Sequence, residues 1–219
     1  VSTDDGNIQV TEDDGMSWKN VGGGIPDVPA GTWAPHVEPS HHDENVAYVV
    51  LEDHRRGNWA PYVYKTEDIG KTWKGLANNE IGGFAHVIRE DPIEPNLLYL
   101  GTEFGVRVSI DGGDSWLNWS HGVPAVPVRD LRIHPREHDL VIGTHGRGIY
   151  IVDDIRPLRE VAKDPSLLID ELRVLPMAPA QKYVVAEAIG YRSVGHAMMF
   201  GEMRPYGALI NYWYGGVEG

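Results

Sequence analysis

The chain repeats an eight-residue pattern of Ser or Thr, any residue, Asp, any residue, Gly, any residue, Ser or Thr, and Trp. Three copies, called boxes 1, 2 and 3 below, read TEDDGMSW at 11–18, TEDIGKTW at 66–73 and SIDGGDSW at 109–116. They start 55 and 43 residues apart, and a degenerate fourth copy, IVDDIRPL at 151–158, keeps only Asp153 of the pattern. Repeats of about 40–50 residues with strand-like segments indicate the blades of a β-propeller.

The segments between the boxes predict four short strands in each repeat. Val106, Val108 and Ile110, for example, alternate with polar residues, which is the period-2 pattern of a half-buried strand. Similar short apolar runs flank boxes 1 and 2, separated by residues typical of turns. The sequence therefore predicts an all-β fold of four-stranded antiparallel blades, with each box in the hairpin between the third and fourth strands.

The number of repeats predicts an incomplete ring. Residues 1–21 supply the second half of one blade, and three more follow at 32–76, 84–119 and 128–158. That is about three and a half blades, whereas propellers generally close with 4–8. We therefore expect either the C-terminal part of a longer propeller or a ring completed by a second copy, because an open ring leaves an edge strand free to pair.

The boxes themselves are predicted to be structural rather than catalytic. Their Asp residues accept N–H bonds inside a tight turn, and their Gly residues supply a backbone conformation that a β-carbon would disfavour. Their Trp residues are expected to be largely buried beneath the turns. The structural set is Asp13, Gly15 and Trp18 in box 1, Asp68, Gly70 and Trp73 in box 2, and Asp111, Gly113 and Trp116 in box 3.

The boxes resemble the Asp-box, or BNR, repeats of sialidase-like, sortilin-like and xyloglucanase-like propellers. GTHGRGIYIVDDIRPLRE at 143–160 resembles the last blade of bacterial BNR-repeat glycosyl hydrolases and sortilin-like proteins, and FGEMRPYGALINYWY at 200–214 resembles the opening of the β-sandwich domain that follows it. The resemblance implies a partial propeller at 1–158, an exit segment with one short helical turn at 159–180, and the truncated start of a fibronectin III-like β-sandwich at 181–219. It also implies a secreted or periplasmic protein, although no signal peptide is visible in this chain.

Composition argues against several partners. Lys plus Arg number 19 and Asp plus Glu number 32, which gives a formal net charge of −13. A chain this acidic is a poor partner for nucleic acid or an anionic membrane surface, because both recruit clustered cations. The absence of Cys excludes disulfides, thiolate metal sites and a Cys nucleophile. No apolar run approaches the roughly 20 residues that a membrane span needs.

The candidate site lies on the loops that follow the second strand of each blade and on the starts of the innermost strands. Loops on this side converge toward the propeller axis, so residues from several blades can reach one ligand. The candidate catalytic carboxylates are Glu103, Asp130 and Asp53. The candidate substrate-binding residues combine aromatic rings that stack on sugars with Arg and His that bind hydroxyls or a carboxylate, and they are Trp33, His36, Trp59, His86, Arg129, His145 and Arg147.

Three of these residues, His36, His86 and Asp130, occupy matching points of their repeats when gaps of one and two residues are allowed, and they are expected around the central channel. Together with His145 they are of the types that ligate zinc. No compact motif such as HExxH accompanies them. We therefore expect these histidines to bind backbone or water, with no metal and no other cofactor.

Two functions from different classes remain open. The first, which we favour, is a glycoside hydrolase whose paired carboxylates lie about 5–9.5 Å apart across a glycosidic bond, with a carbohydrate as substrate. The second is a non-catalytic, sortilin-like propeller that binds a protein or glycan ligand. The sialidase pattern is not met in full, because Arg107 and Arg147 lie near third strands without a recognisable Tyr–Glu pair.

Overall fold

The computed structural model describes residues 1–180 and 207–215, which form an all-β partial propeller, as predicted. Its sheets follow one another along the chain, and within each sheet every strand pairs antiparallel with its predecessor in sequence. Among these described residues the one α-helix is α1, Arg156–Lys163. None of the helices described in the chain has the length and apolar character needed to cross a membrane.

The strands form four successive blades, numbered here 0 to 3. Blade 0 contains β1, Gln9–Val10, and β2, Lys19–Asn20, together with a bridge between Ser2 and Ile8. Blade 1 is a complete meander of β3, Trp33–Pro39, β4, Ala47–Asp53, β5, Asn58–Thr66, and β6, Lys74–Gly75. Blade 2 is also complete, with β7, Ala85–Glu90, β8, Leu98–Thr102, β9, Gly105–Ser109, and β10, Leu117–Trp119. Blade 3 contains β11, Val128–Ile133, β12, Leu140–Thr144, and β13, Ile149–Val152.

The blades pack face to face because their central strands are apolar on both faces. In β4, Val49 and Leu51 pack in the cluster shared with blade 0, whereas Tyr48 and Val50 pack in the cluster shared with blade 2. Successive side chains of a strand point to opposite faces, so one apolar run fills two interfaces. The innermost strands β3, β7 and β11 lie side by side, with β7 in the middle, and this brings their starts together at one end of the molecule.

All three boxes form hairpins between consecutive antiparallel strands, as predicted. In box 2, Asp68 Oδ1 accepts the Thr72 N–H at 2.8 Å and Asp68 Oδ2 accepts the Thr72 hydroxyl at 2.7 Å. Thr66 Oγ1 accepts the Gly70 N–H at 2.8 Å, and Gly70 adopts a φ of +78°, which favours glycine. Boxes 1 and 3 repeat these bonds. Each turn is therefore held by its own side chains.

The burial predicted for the box tryptophans is right for Trp116, which is 2% exposed, but wrong for Trp18, which is 49% exposed; Trp73 is half-buried. Trp116 and Trp73 are covered by the preceding blade and not by the turns of their own boxes. Trp116 Nε1 donates to Leu76 O at 3.0 Å and Trp73 Nε1 donates to Val21 O at 3.2 Å, each just beyond the last strand of the preceding blade. No blade precedes blade 0 within the described residues, and the Trp18 N–H donates back into its own turn.

The box hydrogen bonds make stability depend on pH in acid. The hydroxyl and N–H of Thr72 lower the pKa of Asp68 from its ordinary 3.8 to about 2. The corresponding bonds from Ser17 lower the pKa of Asp13. A depressed carboxyl pKa contributes stability above the unfolded value and loses it as pH falls through the folded value. We therefore expect the urea midpoint of unfolding to fall as the pH drops from about 4 to about 2.

The substitution Asp68→Asn checks this assignment. The variant should be less stable than the parent at neutral pH, and the two urea midpoints should converge in strong acid, where the parent has also lost the carboxylate. Glu67→Gln is the matched control, because Glu67 is exposed and pairs only with Lys65 at the surface, where ion pairs contribute little. A stability difference that stays the same size at both pH values would contradict the assignment.

Blade 3 ends irregularly, with no fourth strand among residues 1–180 and 207–215. After β13 the chain turns into helix α1, which has Pro157 in its first turn, where a missing N–H costs nothing. Ile155, just before the helix, is buried in the core between blades 2 and 3. Arg159 Nε lies 2.9 Å from Asp91 Oδ1, and both side chains are buried, so the helix is tied to the end of β7 in blade 2.

The segment after the propeller holds more helix than the single turn expected at 159–180. Helix α1 extends across residue 158, where the sequence places the end of the propeller, and a 3-10 helix, Pro165–Ile169, follows it. Strand β14, Leu172–Val174, then pairs antiparallel with β15, Tyr212–Tyr214. Most of the predicted β-sandwich at 181–219 lies outside the described residues, and it stays a prediction.

Candidate functional site

Three loops and three strand starts share one end of the propeller, called the loop face below. The strand register shows this directly, because Trp33 pairs with Glu52, Ala85 with Thr102, and Val128 with Thr144. The start of each innermost strand therefore lies beside the end of the second strand and the loop that follows it. The loop face is built by residues 52–59, 84–86, 101–105, 129–130 and 143–148. The box turns lie at the opposite ends of these strands.

Each innermost strand breaks register at the same place. The breaks fall between Trp33 and His36 in β3, between Ala85 and Val87 in β7, and between Val128 and Asp130 in β11. Counted back from the C-terminal ends of these strands, His36 occupies the same position as Val87 and Asp130. His86 lies one residue before that position, so the alignment of His86 with His36 expected from the sequence is wrong by one position. The residues in the breaks of β7 and β11 are His86 and Arg129, and a bulge of this kind re-aims a side chain.

His86 joins two glutamates at the centre of the loop face. His86 Nδ1 lies 2.9 Å from Glu52 Oε2, and His86 Nε2 lies 3.0 Å from Glu103 Oε2. His86 and Glu52 are buried, whereas the side chain of Glu103 is 27% exposed. Arg129 Nη1 lies 3.0 Å from His86 Nδ1, so blade 3 also reaches this centre. A ligand at the loop face would meet one carboxylate, backed by an imidazole and a second carboxylate.

Aromatic rings extend from His86 across the loop face. The rings of His54 and Phe84 stack with centroids 4.8 Å apart, and the Phe84 ring meets His86 edge-on at 4.9 Å. Trp59 lies 5.6 Å from Phe84 and is 61% exposed. Phe104, the neighbour of Glu103 in sequence, is also more than half exposed. The loop face therefore combines exposed aromatic surface with an accessible carboxylate.

The carboxylate of Asp53 binds residues of its own loop. Its carboxylate is buried, with Oδ1 at 2.5 Å from Arg56 Nε and Oδ2 at 3.3 Å from Asn58 Nδ2. Arg56 also donates to Thr32 Oγ1 at 2.9 Å. The neighbouring Arg55 places its guanidinium 4.2 Å from the ring centre of Trp33, which is half-buried. These contacts connect the loop after β4 to the start of β3.

Asp130 lies between two arginines at the start of blade 3. Asp130 Oδ2 lies 3.4 Å from Arg132 Nε, and Asp130 Oδ1 lies 3.8 Å from Arg89 Nη2. Arg89 also binds the buried Glu38, and His36 Nε2 lies 3.6 Å from Glu38 Oε2. Burial alone would raise the pKa of Glu38, but His36 and Arg89 outweigh it and hold that pKa below its ordinary value. His36, Glu38, Arg89 and Arg132 line a cavity of about 390 Å³, and Asp130 lies beside it through its contacts with the two arginines.

The remaining predicted residues, His145 and Arg147, lie exposed on the loop after β12. The backbone N–H of His145 donates to Pro127 O at 2.9 Å, which places the loop beside the start of β11. Both residues therefore belong to the loop face, at the edge supplied by blade 3. Across residues 1–180 and 207–215, no cluster of three His, Cys, Asp or Glu side chains has the geometry to hold a metal ion.

The sequence did not single out Glu52, Glu38 or Arg89. All three lie inside apolar runs that form central strands, where burial hides a functional side chain among core residues. A charged residue within an apolar run is the sequence signal that could have found them, because an unpaired buried charge is costly and such a residue must have a partner.

Comparisons with known proteins support the fold. No family model matches the chain, and no curated protein matches it. The structure is similar to YCF48 bound to a D1 peptide (TM-score 0.50, 17% identity, 69% of this chain and 46% of that one). It is similar to a GH74 enzyme of Niastella koreensis (TM-score 0.55, 15% identity, 70% of this chain and 26% of that one). It is also similar to the GH74 xyloglucanase of Xanthomonas campestris (TM-score 0.52, 18% identity, 80% of this chain and 29% of that one). The chain thus spans less than half the length of these propeller proteins, and identities this low show a shared fold alone.

Proposed function

We propose that this protein is a carbohydrate-active propeller of the Asp-box type, which binds a glycan on the loop face and hydrolyses a glycosidic bond with Glu103. The observation that carries the proposal is the placement of an accessible carboxylate among exposed aromatic rings. Glu103 contacts His86, the His86 ring meets Phe84, and Phe84 lies beside Trp59. Residues from blades 1 and 2 therefore meet on one surface, which Arg129 of blade 3 reaches through His86.

The chemistry of the surface suits a sugar. The apolar face of a pyranose ring stacks on Trp59 or Phe104, which supply large apolar area with few rotatable bonds. Glu103 would exchange a proton with the glycosidic oxygen or with water as general acid or base. Hydrolysis of most glycosides needs a second carboxylate facing the same bond. Asp130 is the candidate for that role, because it begins the next blade and its side chain is 54% exposed.

The similar GH74 enzymes lend the proposal support at the level of fold. A propeller architecture brings loops from several blades to one funnel, and a glycan-hydrolysing site can be built on it. Fold alone does not set the reaction, so the proposal depends on the loop-face residues of this chain.

A non-catalytic binding function, in the manner of sortilin-like receptors, is the second candidate. It is favoured by the contacts of two of the three candidate carboxylates: Asp53 is held by Arg56, and Asp130 lies between two channel arginines. Such a protein would use the same aromatic surface to hold a glycan or a peptide without breaking a bond. The two candidates therefore predict the same binding residues and differ in the effect of Glu103 on turnover.

Truncation of Trp59 should weaken glycan binding under either candidate. Trp59→Ala removes exposed aromatic surface that a bound sugar would cover, and we expect a loss of about 1.5 kcal/mol, or roughly tenfold in Kd. Calorimetry with soluble oligosaccharides measures this. Met16→Ala is the control, because Met16 is also an exposed apolar residue but lies at the opposite, box end of the blades. Equal losses for the two variants would contradict binding at the loop face.

A screen of chromogenic glycosides separates the two candidates. Release of chromophore by the parent protein, together with its loss in Glu103→Gln, supports hydrolysis. Glycan binding that depends on Trp59 without any release supports the binding function instead. If the protein neither binds oligosaccharides nor releases chromophore, both carbohydrate proposals are wrong.

A further inference from the structure

The hydrogen bonds around His86 set the orientation of its ring. A carboxylate only accepts hydrogen bonds, and an imidazole nitrogen either donates or accepts. The short contacts of Glu52 and Glu103 with opposite ring nitrogens are therefore satisfied when both nitrogens of His86 donate. The ring then bridges the two carboxylates as a rigid spacer.

Arg129 presents an alternative partner for His86 Nδ1, at 3.0 Å. If that nitrogen accepted from Arg129, Glu52 Oε2 would lose its donor. Glu52 is 2% exposed, and its other oxygen, Oε1, already lacks a hydrogen-bond partner. A buried carboxylate without any donor is costly, so the bond from His86 Nδ1 to Glu52 is the favoured arrangement. In that arrangement Arg129 Nη1 and His86 Nδ1 are both donors and make no hydrogen bond with each other, and the carboxylates of Glu52 and Glu103 supply the negative charge that offsets the two cations.

We propose that Glu52 and His86 are positioning residues: Glu52 fixes the His86 ring, and the ring fixes the carboxylate of Glu103 toward a ligand on the loop face. This inference rests on the proposed function in taking Glu103 as the residue that acts on the ligand. Glu52 of blade 1, which is buried, thus orients His86 of blade 2, and His86 orients the accessible Glu103 of blade 2.

Glu103 needs such support because of where it lies. It belongs to the two-residue loop between β8 and β9, and its backbone N–H donates to Phe84 O at 3.1 Å. Its backbone is thus held, but within the described residues His86 is the one side chain within hydrogen-bond distance of its carboxylate. Without His86 the carboxylate would sample several rotamers, which lowers the fraction aligned for reaction.

The ring of His86 is itself well fixed. Its edge-on contact with Phe84 packs one side, and Phe84 is stacked in turn on His54. His54 Nδ1 lies 3.4 Å from Glu52 Oε1, so the residues that orient the ring also contact one another. Removal of Glu52 should release the ring, whereas removal of Glu103 should leave the ring anchored through Nδ1.

A ligand-free NMR experiment tests this order. Protein labelled with ¹⁵N-histidine should show two slowly exchanging ring N–H signals that are missing in His86→Gln. Glu103→Ala should lose slow exchange at Nε2 alone, whereas Glu52→Ala should lose it at both nitrogens. If Glu52→Ala does not fold, Glu52→Gln should keep both signals and shift the Nδ1 resonance, because the amide oxygen still accepts. One ring N–H signal in the parent, an Nε2 signal unaffected by Glu52→Ala, or an Nδ1 resonance unaffected by Glu52→Gln would overturn the proposal.

Kinetics supply the second readout on any glycoside that the protein hydrolyses. His86→Gln and Glu52→Ala should lower kcat by up to about 100-fold and leave KM within about twofold, because misplacement of Glu103 affects the reaction rather than stacking of the sugar. Glu52→Gln keeps an acceptor for His86 Nδ1 and should lower kcat less than Glu52→Ala does. Glu67→Gln, a surface control, should change neither constant. A rise in KM with unchanged kcat would overturn the positioning role. The expected NMR pattern without hydrolysis of any glycoside would leave the positioning intact and remove the proposed hydrolase function.

Discussion

Glu103→Gln is expected to lower kcat for glycoside hydrolysis by about 10³-fold, within the range for removal of a general acid or base. The amide keeps the size of the side chain and can still accept the bond from His86 Nε2, which is 3.0 Å away in the parent. It cannot exchange a proton with a glycosidic oxygen or with water. Because stacking of the sugar does not depend on that proton, KM should change little.

The measurement is steady-state kinetics on the best substrate found in the glycoside screen. Asp130→Asn should also lower kcat if Asp130 is the second carboxylate, whereas the exposed Glu67→Gln should leave both constants unchanged. Melting temperatures of all three variants should stay near that of the parent, because none of these carboxylates is fully buried. Full activity of Glu103→Gln in a folded protein would show that the site has been assigned to the wrong residue.

Trp116→Ala is expected to cost about 3–5 kcal/mol of unfolding free energy, and Trp18→Ala no more than about 0.5 kcal/mol. The two residues occupy the same position of the same pattern. Trp116 lies in a core that includes Leu76 and Ile81, and its N–H is bonded to Leu76 O, whereas half of the Trp18 side chain is exposed. The difference between the two losses of unfolding free energy therefore measures what the neighbouring blade contributes, because both residues have the same turn.

Urea unfolding of the purified variants measures this difference. The half-buried Trp73 should give an intermediate loss, so the three substitutions form a graded series. The slope of free energy against urea should stay the same, because the surface exposed on unfolding changes little. Equal losses for the three tryptophans would mean that each box stabilises itself and that the covering blade contributes nothing.

The sequence predicts best what is held by local chemistry. Thr66 accepts from Gly70 and Asp68 accepts from Thr72, all within seven residues, so the pattern alone predicts the hairpin and its bonds. The burial of Trp18 was mispredicted because it depends on a contact from another blade, and nothing inside TEDDGMSW reports it. One short helical turn was expected at 159–180, whereas the structure has both α1 and the 3-10 helix Pro165–Ile169 there, in a segment that lies outside any repeat.

The candidate site was predicted in part. The sequence selected Glu103 and His86 separately, because loop position and residue type pointed to each, and the structure places them in contact. It aligned His86 with His36, since a bulge of one residue cannot be read from an apolar run. Glu52 was missed because it lies in a strand that is otherwise core. The catalytic and binding roles of these residues remain predictions.

Two of the three box tryptophans bond to the preceding blade, which gives the contact between blades a direction. Trp73 donates to Val21 O and Trp116 donates to Leu76 O, so in both bonds the acceptor lies earlier in the sequence. During synthesis the N-terminal part of a chain is available first. The carbonyl that accepts each bond is therefore made before the tryptophan that donates to it.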